Sequence, residues 1–340
     1  MRLCFVRRPV RAEFVRKRLK GEAMQQRSLG KSGLQVSLVG LGCNNFGGRT
    51  DLETARSVIH TALDLGITLF DTADVYPVHG GEPGGSEQIL GQCLGPHRKN
   101  IVLATKFGMR MDPPGLLKGA SRRYIFAAVD ASLKRLGTDW IDLYQLHTPD
   151  PLTPIEETMR ALEDLVRAGK VRYIGCSNLP AWQLVEAQLT ARTIGMSKIV
   201  SSQYEYSLLV RHPERELLPA MEAYGIGLLP YFPLASGLLT GKYQKDRMPA
   251  GARLTESRVL SERYLTESNW KTVEKLEAFC AKRECSLLEI AFAWLTARPA
   301  VSSVIAGATR SSQVEQNVKA VETMLTPADL SEIDELTVKA

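Results

Sequence analysis

The sequence predicts a single (β/α)8 barrel, preceded by a β-hairpin and carrying extra helices near its C-terminus. Three observations carry that reading. Short, continuous apolar runs such as IVLAT and GIGLLPY alternate with helical segments along the 340 residues, as parallel strands covered on both faces require. The length suits one such barrel with insertions. A doubly wound nucleotide-binding sheet needs G-x-G-x-x-G after its first strand, whereas the segment here is GLGCNNFG, with Asn45 where the third glycine belongs.

The elements follow in order. In QQRSLGKSGLQVSL, the turn-forming Gly-Lys-Ser-Gly separates two short alternating segments and predicts the hairpin. The first barrel strand is expected at 37–41. A helix begins near Asp51, which is suited to an N-cap, with Glu53 and Thr54 in its first turn. Strands at 67–71, 101–106 and 140–146 then alternate with helices at 86–95, 121–136 and 154–168. The second half repeats this with strands 171–176, 199–203 and 227–231 and helices 180–193 and 214–224. After a long polar stretch at 241–268 come helices 269–283 and 286–297, a last strand at 301–306, helix 311–321 and a terminal helix from about 326.

With 44% hydrophobic and 24% charged residues, the composition is that of a soluble globular protein, and no apolar run reaches the roughly 20 residues that cross a bilayer. The net charge of +6 first suggests a nucleic-acid partner. Residues 1–23, however, hold eight of the 43 basic and two of the 37 acidic side chains, so the remainder is neutral. The basicity belongs to an appendage, residues 1–23, expected to be a solvated, disordered extension before a barrel spanning 24–340. That arm has neither the apolar core of a secretory signal nor the serines of a transit peptide, so a cytoplasmic protein without nucleic-acid or membrane partners is expected. Six scattered cysteines with no Cys-x-x-Cys pair fit reduced thiols rather than zinc or a dithiol motif. Oligomeric state is not legible.

In this fold chemistry sits at the C-terminal strand ends. The second strand ends at Asp71, with Tyr76 five residues on; the third ends at Lys106; the fourth ends at His147. Singly, each has an ordinary structural explanation, a turn-forming aspartate or a tyrosine with its hydroxyl tied off. Together, at equivalent positions on neighbouring strands, they point to proton delivery to a carbonyl oxygen. A phenol with an unperturbed pKa of about 10 is a poor acid at neutral pH unless a cation stabilises its phenolate. Lys106 is expected to lower the Tyr76 pKa, Asp71 to pair with the lysine, and His147 to hydrogen-bond the substrate oxygen. No metal-ligand cluster and no nucleophile with a partner base is evident.

Asp71, Tyr76, Lys106 and His147, in the contexts FDTADVY, LATKFG and YQLHTPDP, resemble the catalytic tetrad of the aldo-keto reductases. The resemblance runs from about residue 25 to the C-terminus. It implies reduction of an aldehyde or ketone with NADPH, NADH being a possible substitute, and it assigns Asp71 to the cofactor site as well. It further implies that Ser177 and Asn178 bind the nicotinamide carboxamide with Gln203 as their partner, and that Tyr231 stacks on the ring. Phe232, Pro233, Leu234, Ser236 and Lys242 match the pyrophosphate lining, and Arg253 matches a further contact. Gly307, Thr309, Gln313, Gln316 and Asn317 match the adenosine phosphate site, where a helix N-terminus favours a phosphate; Arg310 adds a cation for a 2′-phosphate.

Two positions depart from the pattern: Phe232 stands where many relatives have serine, and Gln316 replaces a common glutamate. Asn44, Phe46, Tyr76, Phe107 and His147 are expected to line the substrate pocket, and the inserted PVHGGEPGG after Tyr76 to be mobile and shape access. Two other readings remain open at this stage. One is oxidation of a sugar or polyol with NAD(P)+; the other is a non-catalytic NADPH-binding subunit like the β-subunits of potassium channels.

Overall fold

The computed structural model describes residues 16–17, 24–77 and 80–338. Eight parallel strands form one sheet: β1 Val39–Gly42, β2 Leu69–Asp71, β3 Val102–Phe107, β4 Ile141–Leu146, β5 Val171–Ser177, β6 Ile199–Glu205, β7 Gly227–Tyr231 and β8 Val304–Gly307. From β1 to β7 each pairs with the next, and β8 pairs with β1 in register Val304 to Val39. The seam between β7 and β8 is closed by the parallel bridge of Leu228 to Val301 and by the bond from Leu228 N–H to the Ala300 carbonyl (2.7 Å). This is the expected (β/α)8 barrel.

Helices wrap it: α1 Leu52–Asp64, α2 Gly85–Leu94, α3 Arg122–Leu136, α4 Ile155–Arg167, α5 Ala181–Thr193 and α6 Leu217–Tyr224. Their ends carry the capping chemistry the sequence offered. Asp51 accepts from Thr54 N–H at the start of α1, and Ser121 accepts from Tyr124 N–H at the start of α3, which Gly137 closes in the left-handed region. In α4, Met159, Leu162 and Leu165 are buried on one face while Arg160 and Glu156 pair on the other.

The hairpin, Gln26–Ser28 paired with Gln35–Ser37, plugs the N-terminal mouth. Its Leu29 and Val36 pack with Leu69, Val102, Leu143, Leu229 and Ile305 inside the barrel. Cutting Leu29 back to alanine would cost about 2–5 kcal/mol. The turn needs glycine at Gly30: φ is +59°, and a Cβ would stand 2.5 Å from the Gly225 carbonyl oxygen.

Several boundaries differ from the sequence reading. Ser37 belongs to the hairpin, and β1 starts at Val39. The last strand starts at Val304 rather than 301, because Ser302 is used to tie the plug: its hydroxyl accepts from Gly30 N–H and donates to the Ser28 carbonyl. The polar stretch 241–268 holds two short helices, α7 Arg253–Glu256 and α8 Arg258–Tyr264. It is followed by α9 Glu267–Arg283, α10 Leu287–Thr296, α11 Ser311–Ala320 and α12 Pro327–Thr337. The basic extension lies outside the described residues except for Arg16–Lys17, which pair antiparallel with Thr323–Met324. Among the described residues, no helix is long and apolar enough to cross a membrane.

Candidate active site

The C-terminal strand ends converge on a cavity of about 630 Å³. Asp71, Tyr76 and His147 line it, with Lys106 fully buried immediately beneath. Lys106 Nζ donates to Asp71 Oδ2 (2.6 Å) and to the Thr72 carbonyl (2.7 Å). The other carboxylate oxygen, Oδ1, accepts from Gln145 Nε2 (3.1 Å) and Gln203 Nε2 (2.9 Å). Asp71 is therefore a fully committed anion, which is how a charge can sit in a barrel interior. Burial pulls the Lys106 ammonium down, but Asp71, with Tyr76 and Cys43 adding to it, makes the net shift upward, so the lysine stays charged.

The Tyr76 ring lies 5.0 Å from Lys106 Nζ and meets the His147 ring edge-on, with centroids 5.6 Å apart at 83°. Burial pushes the Tyr76 phenol above its ordinary value, and the opposing pull of Lys106 does not overcome it. The expected lowering is thus corrected for this site: the lysine acts as foreseen, but removal from water acts more strongly, and the phenol holds its proton at neutral pH. Burial, then the Lys106 charge, takes His147 down to about 3, so its imidazole is neutral. Its Nδ1 is buried without a hydrogen-bond partner among the described residues.

The loop bearing Tyr76 is held from below. Ser86, at the start of α2, shares a hydrogen bond with Thr72 (2.8 Å) and donates to the Cys43 carbonyl (2.8 Å), while its N–H donates to the Tyr76 carbonyl (3.2 Å). Next to it, Glu87 accepts from Thr105 Oγ1 of β3 (2.5 Å) and Arg135 Nε of α3 (2.7 Å). Asp74 N–H donates to the Lys106 carbonyl (3.0 Å), and burial followed by the Glu87 charge raises its carboxyl to about 7. Val78 and His79 lie outside the described residues. None of 80–85 lines the cavity: Gly81 presses on Gly47 so closely that a Cβ would stand 2.2 Å from its carbonyl oxygen.

Across the cavity, Ser177 ends β5 and Asn178 takes φ +61°, its side chain donating to Ser177 Oγ and to the His147 carbonyl (3.0 Å each) and accepting from Tyr231 OH (2.9 Å). After Tyr231 the chain turns sharply, with positive φ at Phe232, Ala235 and Ser236. Such a run is strained for residues with side chains, and strain of this kind clusters at ligand clamps. Asn44, Phe232, Pro233, Leu234, Ser236, Lys242, Arg253, Gly307, Thr309, Arg310 and Gln313 all line the cavity, as does Gln203. The Gln203 side chain donates to Asp71, while its carbonyl accepts from Asn178 N–H (3.1 Å).

Four of the expected residues lie elsewhere. Phe46 and Phe107 are fully buried, Phe107 stacked on Tyr144 at 4.7 Å, so both are core residues and do not line the substrate pocket. Gln316 is exposed on α11 and Asn317 is buried, and neither reaches the cavity wall. Met109 and the segment 249–252 also line it, as does Arg49, which sequence reasoning did not pick out. Arg49 reads in sequence as a solvated turn residue; only the approach of α7, whose Glu256 pairs with it, reveals its place. Arg253 donates to Asn45 Oδ1 (2.7 Å). Burial, then Arg310, Arg253 and Arg49, lowers the Lys242 ammonium, so these cations repel one another around one end of the cavity. An anion there would relieve the repulsion. Among the described residues no group of His, Cys, Asp or Glu is arranged to hold a metal ion.

A parallel barrel with an ionisable cluster at its C-terminal rim defines the class of the protein by its fold, a (β/α)8 barrel whose site lies at the strand ends. Residues 38–338 match the Aldo/keto reductase family, and the chain belongs to that family. It is 40% identical over 304 residues to an uncharacterized oxidoreductase, YrpG, of Bacillus subtilis, covering 87% of this chain and 91% of that protein. It is 39% identical over 318 residues to a probable voltage-gated potassium channel subunit beta of Arabidopsis thaliana (91% and 95% covered). To the L-glyceraldehyde 3-phosphate reductase of Escherichia coli it is 35% identical over 317 residues, covering 90% of each.

Proposed function

We propose that this chain reduces an aldehyde or ketone to an alcohol, with NADPH as the reductant and Tyr76 as the general acid. The observation that carries this is the Asp71–Lys106 ion pair set beneath Tyr76, with the neutral His147 ring at its edge. Bound in the cavity, the nicotinamide supplies the hydride. Tyr76 holds the proton for the carbonyl oxygen; its raised pKa keeps that proton in place until charge develops on the oxygen. His147, uncharged, offers a ring nitrogen to the same oxygen and orients it. Lys106 faces the phenolate left behind, and Asp71 keeps the lysine charged and aimed.

Ser177, Asn178 and Tyr231 form one hydrogen-bonded unit facing the reacting end and suit the nicotinamide. Lys242, Arg253 and Arg310, with Arg49, suit the phosphates, and the exposed Arg310 suits the 2′-phosphate that separates NADPH from NADH. The free thiols Cys43, Cys93, Cys176, Cys280 and Cys285 support a reducing, cytoplasmic setting.

Oxidation of an alcohol uses the same groups in reverse, with Tyr76 as base; cofactor preference separates the directions. The relative named as a probable channel subunit favours a second reading, a cofactor-binding subunit without turnover. The purified chain is assayed with NADPH and then NADH against a carbonyl panel, following nicotinamide absorbance. Turnover that Tyr76→Phe abolishes while cofactor binding persists supports the enzyme. Cofactor binding with no turnover on any carbonyl, and the same background in Tyr76→Phe, supports the binding subunit.

A further inference from the structure

Away from the cavity, the turn between α9 and α10 brings two cysteines together. Glu284 caps α9 with φ +52° and ψ +42°, the left-handed turn, and folds the chain back so that Cys285 N–H donates to the Cys280 carbonyl (3.2 Å). A helix end closed in this way places the side chain after the turn against one in the last helical turn. Here the two residues so placed are both cysteines. Cys280 is buried and Cys285 is half-buried, so one thiol of the pair is reachable from solvent and the other is not. The contact with Cys280 lowers the Cys285 thiol, and Arg283 adds to the lowering against burial and the carboxylates of Glu289 and Asp329; Cys280 moves up correspondingly.

We propose that Cys280 and Cys285 form a reversible redox pair, with Cys285 the peroxide-reactive thiol and Cys280 the thiol that resolves it into a disulfide. The Cys285 thiolate attacks one oxygen of hydrogen peroxide; an S–O bond forms, the O–O bond breaks, and hydroxide leaves. The Cys280 thiol then attacks the sulfenic sulfur, forming the S–S bond as the S–O bond breaks, and its proton leaves with the hydroxyl as water. In total two thiols and one peroxide give a disulfide and two waters. The sulfurs are oxidised and the peroxide oxygens reduced; a dithiol reductant reverses the bridge.

Little backbone movement is needed. Disulfides join Cα atoms about 4.4–6.8 Å apart, and a helix end closed by an N–H···O bond between the same two residues holds their backbones close, as such a bridge requires. Of the other buried cysteines among the described residues, the Cys43 thiol donates to the Leu41 carbonyl and the Cys176 thiol to the Ser201 carbonyl.

The sequence supplies the readout, because Lys282 and Arg283 lie between the two cysteines and trypsin cuts there. The full chain is treated with hydrogen peroxide, its remaining thiols are blocked, and it is digested without reductant. The expected result is the peptide Leu276–Lys282 joined to the one beginning at Glu284, two hydrogens lighter than the sum, and separated by dithiothreitol. The linked pair should be absent from Cys285→Ser, whose change at a half-buried turn spares the core, and in that variant Cys280 should stay a free thiol. The proposal is overturned if peroxide leaves both cysteines open to the blocking reagent, or carries Cys285 to the sulfinic acid with no linked peptide, or if Cys280 is oxidised equally in Cys285→Ser.

Discussion

On the β2–β4 side of the cavity, Asp71, Lys106 and His147 are 3%, 0% and 8% exposed, and every oxygen of Asp71 has a protein donor. On the β7–β8 side, Arg49, Lys242 and Arg310 are exposed, and Lys242 is held down in part by the neighbouring guanidinium groups. The first side spends its charges on itself and excludes water, so its groups are fixed before any substrate arrives and need not reorganise during reaction. The second keeps like charges apart in solvent, where repulsion is cheap, and leaves them able to close on an anion. The proposed reaction centre and the proposed anion cradle share one cavity but are built in opposite dielectrics.

The largest effect should come from the dry side. Tyr76→Phe is expected to lower kcat/KM by about 10²–10⁴-fold while the dissociation constant for NADPH, followed by fluorescence titration, stays within a factor of two or so. An equal loss in both would mean that the two sides are not separable. Next, Lys106→Met strands Asp71 as an uncompensated buried charge; urea unfolding should show a loss of about 3–5 kcal/mol along with the loss of turnover.

Asp74 tests the same side through pH. Its folded-state pKa is about 7 against an ordinary 3.8. An acid raised in this way favours the fold while protonated in both states, and that stability is lost as pH climbs from about 4 to about 7. Asp74→Asn, which mimics the neutral form, should therefore leave stability at pH 4 nearly unchanged and raise it at pH 7 by at most about 4 kcal/mol. A variant that is equally destabilised at both values would show that the ionised carboxylate is needed by Arg135 or Tyr124.

The smallest effect belongs to the wet side. Arg310→Ala removes one exposed cation, and should raise KM for NADPH about tenfold or more while leaving KM for NADH and the kcat values nearly unchanged. Matching changes with the two cofactors would move the 2′-phosphate contact away from Arg310.

The tetrad was legible in sequence because the end of a barrel strand is a geometric address: Asp71, Lys106 and His147 each stand at or directly after a strand terminus, and the fold sends all such positions to one rim. The eight strand–helix alternations were legible for a similar reason, since burial on both faces writes itself as short apolar runs. Phe46 and Phe107 were misjudged because an aromatic residue near the rim reads the same whether it faces the cavity or the helices behind it. The strand-parity rule that separates the two fails outside the regular strand, where Phe46 lies, and at a strand's last residue, where Phe107 lies.

The sequence by itself determined the barrel, the residues at its strand ends and the family, because all three depend on local pattern and spacing. Only the tertiary structure decided how those residues behave. That burial outweighs Lys106 in setting the Tyr76 phenol, that Gln145 and Gln203 hold Asp71 from two other strands, and that Arg49 joins the cations of a distant loop all depend on distances and on dielectric. These are set when the chain closes on itself, by contacts between segments far apart in sequence, and no local window of sequence contains them.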